Sequence, residues 1–233
     1  PRLVWKEGES PAVEAPGDVL CTDGSILRVD AFLASGKTPV GVVYYIDPTG
    51  KHGKITALKD APRVTIDGNE NYYGIWATRG LAQDHKYIHS VTPYSKECDV
   101  LFDMRGTENT QKIKIDAEQK GEFSKYAPAA YYCYYYNESS GLVDPSNPAG
   151  WGWYLPAMGE LNILYGNRVP VNATLKKLKE AGWNAEVMDL DQSYYLSSSE
   201  KDNDNCWHND YSGHFKQHYK YNSKTWYSPV WKY

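Results

Sequence analysis

The sequence predicts an α+β domain, with strands toward its amino-terminal end, two amphipathic helices in its middle and a polar, aromatic β-meander at its carboxy-terminal end. Three observations carry this. Val40–Ile46 is a short apolar run that leads into Asp47-Pro-Thr-Gly50, with Pro and Gly where a turn wants them. Residues 157–165 and 172–181 space their apolar side chains as a helix does. From Ser197 to Pro229 there is no Ala, Val, Ile, Leu or Met, where an ordinary domain would place about a third aliphatic residues.

In chain order, residues 1–16 hold three prolines and little periodicity, and read as a linker or the end of an upstream domain. Residues 17–233 read as one domain. Its first part, to Leu58, is β-rich. Val40–Ile46 pairs through the turn with Lys54-Ile-Thr-Ala-Leu58. Residues 60–122 look irregular, with 106–113 (Gly-Thr-Glu-Asn-Thr-Gln-Lys-Ile) a polar loop. Residues 126–136 (YAPAAYYCYYY) fit either class: Pro128 and the alanines favour helix, the later Tyr and Cys residues favour strand. Over 157–165, Met158, Leu161, Ile163, Leu164 and Tyr165 share a helix face. Over 172–181, Asn172 is a plausible N-cap, Leu175 and Leu178 are spaced i, i+3, and Gly182 stops the helix.

The chain has 233 residues, a net charge of −4 (25 Lys+Arg against 29 Asp+Glu) and 41% hydrophobic residues. That suffices for a sizeable core and is too apolar for disorder. A weakly negative chain lacks the basic face that phosphate binding needs, so nucleic acid is not an expected partner. No apolar run reaches about 18 residues, so no membrane span is expected. With no initiating Met and no signal peptide, the sequence reads as a mature or excised piece.

Cys21, Cys98, Cys133 and Cys206 are widely spaced, without a Cys-x-x-Cys pair. A structural zinc site is therefore not expected, and the pairing of the four stays open, with Cys133 read as a buried thiol. His208, His214 and His218 lie close together and could bind a metal, but with so many other polar residues around them no metal is expected. The sequons at Asn137 and Asn172 carry little weight alone.

Tyr occurs 21 times, Trp 8 times and Phe only 4 times. Tyr and Trp join an apolar body to a polar tip, so the excess points to aromatics at a wet surface. In the carboxy-terminal stretch they stand among Ser, Asn, Asp and His, the mixture of binding loops, where Tyr supplies rigid contact and Ser and Asn adaptable hydrogen bonds. The same alphabet is what AAC or AAT codons become when their adenines are replaced singly. Such a surface looks adenine-mutagenised.

Several segments in order carry a family resemblance: Gly106-Thr-Glu-Asn-Thr110, Ala129-Ala-Tyr-Tyr-Cys133, Trp153-Tyr-Leu-Pro-Ala-Met-Gly-Glu-Leu161 and Tyr195-Leu-Ser-Ser-Ser-Glu200, then Trp207, Gly213, Lys220 and Pro229-Val230. Together they resemble the bacterial C-type-lectin-like domain of surface and pilus-tip proteins, including the variable proteins of diversity-generating retroelements and, distantly, the phage major tropism determinant. The resemblance spans roughly 17–233. It implies a C-type lectin-like fold with two helices and small antiparallel sheets, and on that basis 126–137 is expected to be helix. It implies a non-catalytic receptor on a cell surface, pilus tip or phage particle, whose partner is a protein or glycan on another surface, or other pilus subunits. Trp153, Glu160, Glu200, Trp207, Gly213 and Pro229 would be scaffold. Asn203, Asn205, His208, Asp210, His214, His218, Tyr219, Tyr221, Asn222, Ser223, Trp226 and Tyr227 would be displayed, within a variable region of about 194–228. The family often carries Arg where this chain has Ser228, and Ala where it has Cys206, so Cys206 is expected to form no disulfide.

Three other readings compete. Trp207-His-Asn-Asp210 is close to the Trp-Asn-Asp run of calcium-dependent lectins with one residue inserted, and Asp and Asn suit calcium. No Glu-Pro-Asn run accompanies it. An enzyme would need more than Glu160 and Glu200 as paired carboxylates, since no phosphate loop or nucleophile elbow appears. The third is a structural pilus subunit with a polar tail, which would more usually be rich in Lys and Glu. No cofactor is expected.

Overall fold

A computed structural model describes residues 15–50, 52–61, 76–77, 93–137, 142–143, 152–189, 193–210, 213–220 and 225–233. The expected linker falls almost wholly outside these residues, as do Tyr221, Asn222 and Ser223.

The amino-terminal strands are β1 (Val19–Cys21), β2 (Ile26–Leu27), β3 (Pro39–Ile46) and β4 (Gly53–Ala57). β3 and β4 form the expected hairpin around Asp47–Gly50, with Val42 opposite Thr56. A last strand, Val230–Lys232, pairs with β4, and the antiparallel order is last strand, β4, β3, β1, β2. The sheet is buried on both faces, which is why β3 is apolar almost throughout. In β1, Val19 and Cys21 face one core, Leu20 the other.

One face packs against α3 (Gly106–Lys120), α4 (Phe123–Tyr126) and α5 (Pro128–Tyr134) through Ile113, Ala117, Phe123, Ala129, Ala130 and Cys133. The other packs against α1 (Val29–Ser35), α6 (Met158–Gly166) and α7 (Arg168–Glu180) through Phe32, Met158, Leu161, Leu164, Val171, Leu175 and Leu178. α2 (Glu97–Val100) is a single turn, and β5 (Tyr136–Asn137) pairs with β6 (Leu142–Val143). The third sheet is β7 (Tyr195–Glu200), β8 (Asn205–Asn209) and β9 (Phe215–Tyr219), antiparallel in that order. The strand at 230–232 is thus β10. Among the described residues no helix is long and apolar enough to cross a membrane.

Four sequence expectations need correction. The molecule has seven helical segments among its described residues, not two. The stretch 106–113 is not a loop but the start of α3. Its buried face is Gly106, Asn109, Thr110, Ile113 and Ala117, helical in spacing but polar at Asn109 and Thr110, so hydrophobic periodicity misses it. The helix expected over 126–137 ends at Tyr134, and Tyr136 turns into β5. The helix expected from Asn172 begins at Arg168, with Pro170 in the first turn, where its missing N–H costs nothing. Asn172 does not cap it. Its amide accepts from Met188 N–H (3.0 Å) and donates to Met188 C=O (2.9 Å), which fastens the segment after α7.

Candidate ligand-binding face

β7 is built to be immobile. All six of its residues, Tyr-Leu-Ser-Ser-Ser-Glu, are buried, so each polar group must find a partner. Ser197 Oγ donates to Trp207 C=O (2.8 Å), and Ser197 C=O accepts from the Trp76 indole (2.9 Å). Ser198 N–H donates to Pro156 C=O (2.7 Å). Ser199 Oγ donates to Asp103 Oδ2 (2.7 Å) and accepts from Met158 N–H (2.8 Å). Asp103 also accepts from Asn109 Nδ2 (3.0 Å) and Arg105 Nε (3.1 Å), which ties α3 to the sheet.

Glu200 and Glu160 are both fully buried, and each carries its own lysine. Lys220 Nζ donates to Glu200 at 2.5 Å and lies over the Trp76 ring. Burial pulls the Lys220 ammonium below its usual range, with Glu200 opposing. Lys54 Nζ donates to Glu160 Oε1, and Ala157 N–H donates to Glu160 Oε2 (2.8 Å), which fixes the start of α6. Burial raises the Glu160 carboxyl, against the pull of Lys54. The carboxylates are thus held in two separate buried ion pairs.

Trp153 and Trp207 are buried, and the Trp207 indole donates to Tyr94 C=O (2.9 Å). Gly213 takes φ +76°, left-handed backbone, with the Tyr165 ring where a Cβ would stand. Pro229 is buried next to β10, and its carbonyl accepts from Ala57 N–H (2.9 Å). Ser228 shares a hydrogen bond with Thr56 Oγ1 (2.9 Å). Cys206 is a buried thiol whose Sγ donates to His218 C=O (3.5 Å), its pKa pushed up to about 12 chiefly by burial.

β9, at the other side of this sheet, faces water. Lys216, Gln217 and Tyr219 are exposed, Tyr219 by 52%, and His214 is exposed beside them. Asn203 is exposed, and Asn205 and His218 are half-buried. Asn205 Nδ2 donates to Asp202 Oδ1 (2.8 Å), which shapes the β7–β8 turn. Trp226 is half-buried, and its backbone bonds to both Tyr194 and Leu196.

Three residues expected on display are buried instead. Asp210 closes the β8–β9 hairpin: its carboxylate accepts from His214 N–H (3.0 Å) and pairs with Lys216 Nζ (2.6 Å). Tyr227 stacks on Tyr132 (6.1 Å, 11° between planes) in the core, and its hydroxyl pKa is pushed well up, mainly by burial. His208 is 3% exposed, between the rings of Tyr194 and His218. Conversely, residue types alone do not single out Tyr194, Lys216 and Gln217, which are also exposed, Lys216 and Gln217 on opposite faces of β9. The signal was available for Lys216 and Gln217: both lie in an aliphatic-free strand, the sign of a sheet edge.

No protein-family model matches the chain, and no curated protein matches it. A solved structure does: a fimbrial protein from Bacteroides ovatus ATCC 8483, with a TM-score of 0.56 and 19% identity. The match covers 94% of this chain and 48% of that one, so the chain spans about half the length of the fimbrial protein. At this identity the likeness shows a shared fold.

Proposed function

We propose that the chain is the ligand-binding domain of a bacterial cell-surface or pilus protein, on a C-type-lectin-like scaffold and without catalysis. The observation that carries this is the contrast within one small sheet: β7 is wholly buried and pinned by side-chain hydrogen bonds, while β9 exposes Lys216, Gln217 and Tyr219. A rigid floor under an open, aromatic and polar edge suits recognition, because the displayed groups change without unfolding what holds them. The ligand is a protein or glycan on another surface. The fimbrial likeness supports the surface context and also favours the second reading, a structural pilus subunit. Asp210, already paired with Lys216, weighs against a calcium-dependent lectin, and the two buried Lys–Glu pairs weigh against carboxylate catalysis.

The finer reading is that a retroelement diversifies this face. Burial narrows its candidate positions, among the described residues, to Asn203, Asn205, His214, His218, Tyr219 and Trp226. Sequencing the gene's end and flanks in many cells tests it. Adenine-confined variation beside a template repeat supports it, and an invariant gene leaves a fixed specificity.

The binding test is a Gln217→Ala, Tyr219→Ala double variant, two exposed side chains that leave the Asp210–Lys216 pair intact, against intact cells and a glycan array. Saturable binding by the parent chain, lost in the variant at unchanged Tm, is the expected result. A parent chain that binds neither but assembles with pilus subunits supports the structural reading instead.

A further inference from the structure

We propose that His208 and His218 form a two-imidazole site for one divalent transition-metal cation, of the class Zn2+, Ni2+ or Cu2+. Its geometry is independent of any ligand on the open face. The β8–β9 register places Cys206 opposite His218 and His208 opposite Lys216, so all four share one face of the sheet. The His208 and His218 ring centres stand 4.9 Å apart with their planes at 82°. Two imidazoles that bind one ion tetrahedrally, with metal–nitrogen distances of about 2.0–2.1 Å, have ring centres about 5 Å apart.

The second observation is an unmet need. His208 is 3% exposed, yet neither Nδ1 nor Nε2 has a hydrogen-bond partner. A neutral imidazole carries one donor and one acceptor, and a buried polar group without partners is rare enough to call for an ion or water. A cation on one nitrogen supplies the missing partner. The ring is also in the right protonation state. Burial, then His218 and Lys216, with Asp210 opposing, hold its pKa down at about 3, and metal ligation requires a neutral imidazole.

Tyr194 walls the pair, its ring 5.3 Å from His208 and 6.4 Å from His218. Cys206 stays outside the ligand set because its thiol bonds to His218 C=O. His214 stays outside too, its side chain exposed and 4.0 Å from Asp210. Among the described residues no group of three or more His, Cys, Asp or Glu converges on a point. The protein therefore supplies two ligands, and water or a donor from a bound partner fills the rest. Imidazole selects late transition metals over calcium. This proposal departs from the expectation of no metal at two of the three histidines that expectation considered.

The test is isothermal titration of the untagged, chelator-stripped chain with Zn2+, Ni2+ and, as control, Ca2+. One Zn2+ or Ni2+ per chain, no Ca2+, and a Tm that rises with Zn2+ are expected. His218→Gln changes a half-buried ring and should fold while losing the ion; His214→Ala should keep it. His208→Ala should also lose it, and where that variant fails to fold, His218→Gln decides. Absence of stoichiometric binding overturns the site. So does binding that persists in His218→Gln, as an ion on the exposed Cys98 would, or binding that disappears in His214→Ala.

Discussion

Trp207 sits in β8 between the pinned strand and the open one. Its indole is 2% exposed, its N–H is spent on Tyr94 C=O, and Lys201 lies over the ring at 5.6 Å. Trp207→Ala leaves a cavity and an orphaned carbonyl, and should destabilise by about 3–5 kcal/mol. A lower urea midpoint at unchanged slope would show it; a midpoint like the parent's would mean that the indole is not structural. His208, the next residue, titrates against the fold. Its pKa is 6.5 in an unfolded chain and about 3 in the folded one. Above pH 6.5 neither state holds the proton and the fold is unaffected. As pH falls from 6.5 toward 3, only the unfolded chain takes it up, so stability is lost across that window. With chelator present, urea midpoints should fall between pH 7.5 and pH 5, and less steeply in His208→Leu. A slope equal in both proteins would mean that other groups carry it. Residue type told only part of this. Asp210, His208 and Tyr227 are as polar or amphipathic as Tyr219, and only the local closure of the β8–β9 hairpin for Asp210, the Tyr194 and His218 rings for His208, and the stack on distant Tyr132 for Tyr227 put them inside.

At the scale of elements, the β3–β4 hairpin, α6 and most of α7 were legible because their cores are aliphatic and their turns hold Pro or Gly. α3 was not legible, because its buried face uses Asn109 and Thr110. Their hydrogen bonds, Asn109 to Asp103 and Thr110 to both backbone groups of Leu155 (3.1 and 3.2 Å), replace apolar burial and leave no periodic signal. The open face was legible as a stretch without aliphatic residues, but not which side of each strand meets water. α3 also meets α6 with almost no clearance. A Cβ on Gly106 would stand 2.6 Å from Tyr154 Cε2 and 2.8 Å from Ala157 N, and would strike the Glu160 carboxylate. Gly106→Ala should therefore cost about 1–3 kcal/mol despite better helix propensity. A thermal melt equal to or above the parent's would mean that the two helices can part there.

For the whole molecule, β10 joins what the chain separates. Val230 pairs with Thr56 of β4, and its N–H and C=O also bond to Tyr154. Deleting 230–233 would bare β4 as a long edge and uncover both cores, so the cooperative melt should be replaced by aggregation. A soluble, cooperative truncation would show the sheet complete without it. The same pairing bears on how the molecule is made. β4 (Gly53–Ala57) is made well before β10 (Val230–Lys232), so all the chain between them must be synthesised before this pair can close. Contacts this distant in sequence slow folding and prolong exposure of half-made edges. Until β10 is made, a nascent chain of this design carries β4 as an open edge, a docking point for any other extended segment that meets it first.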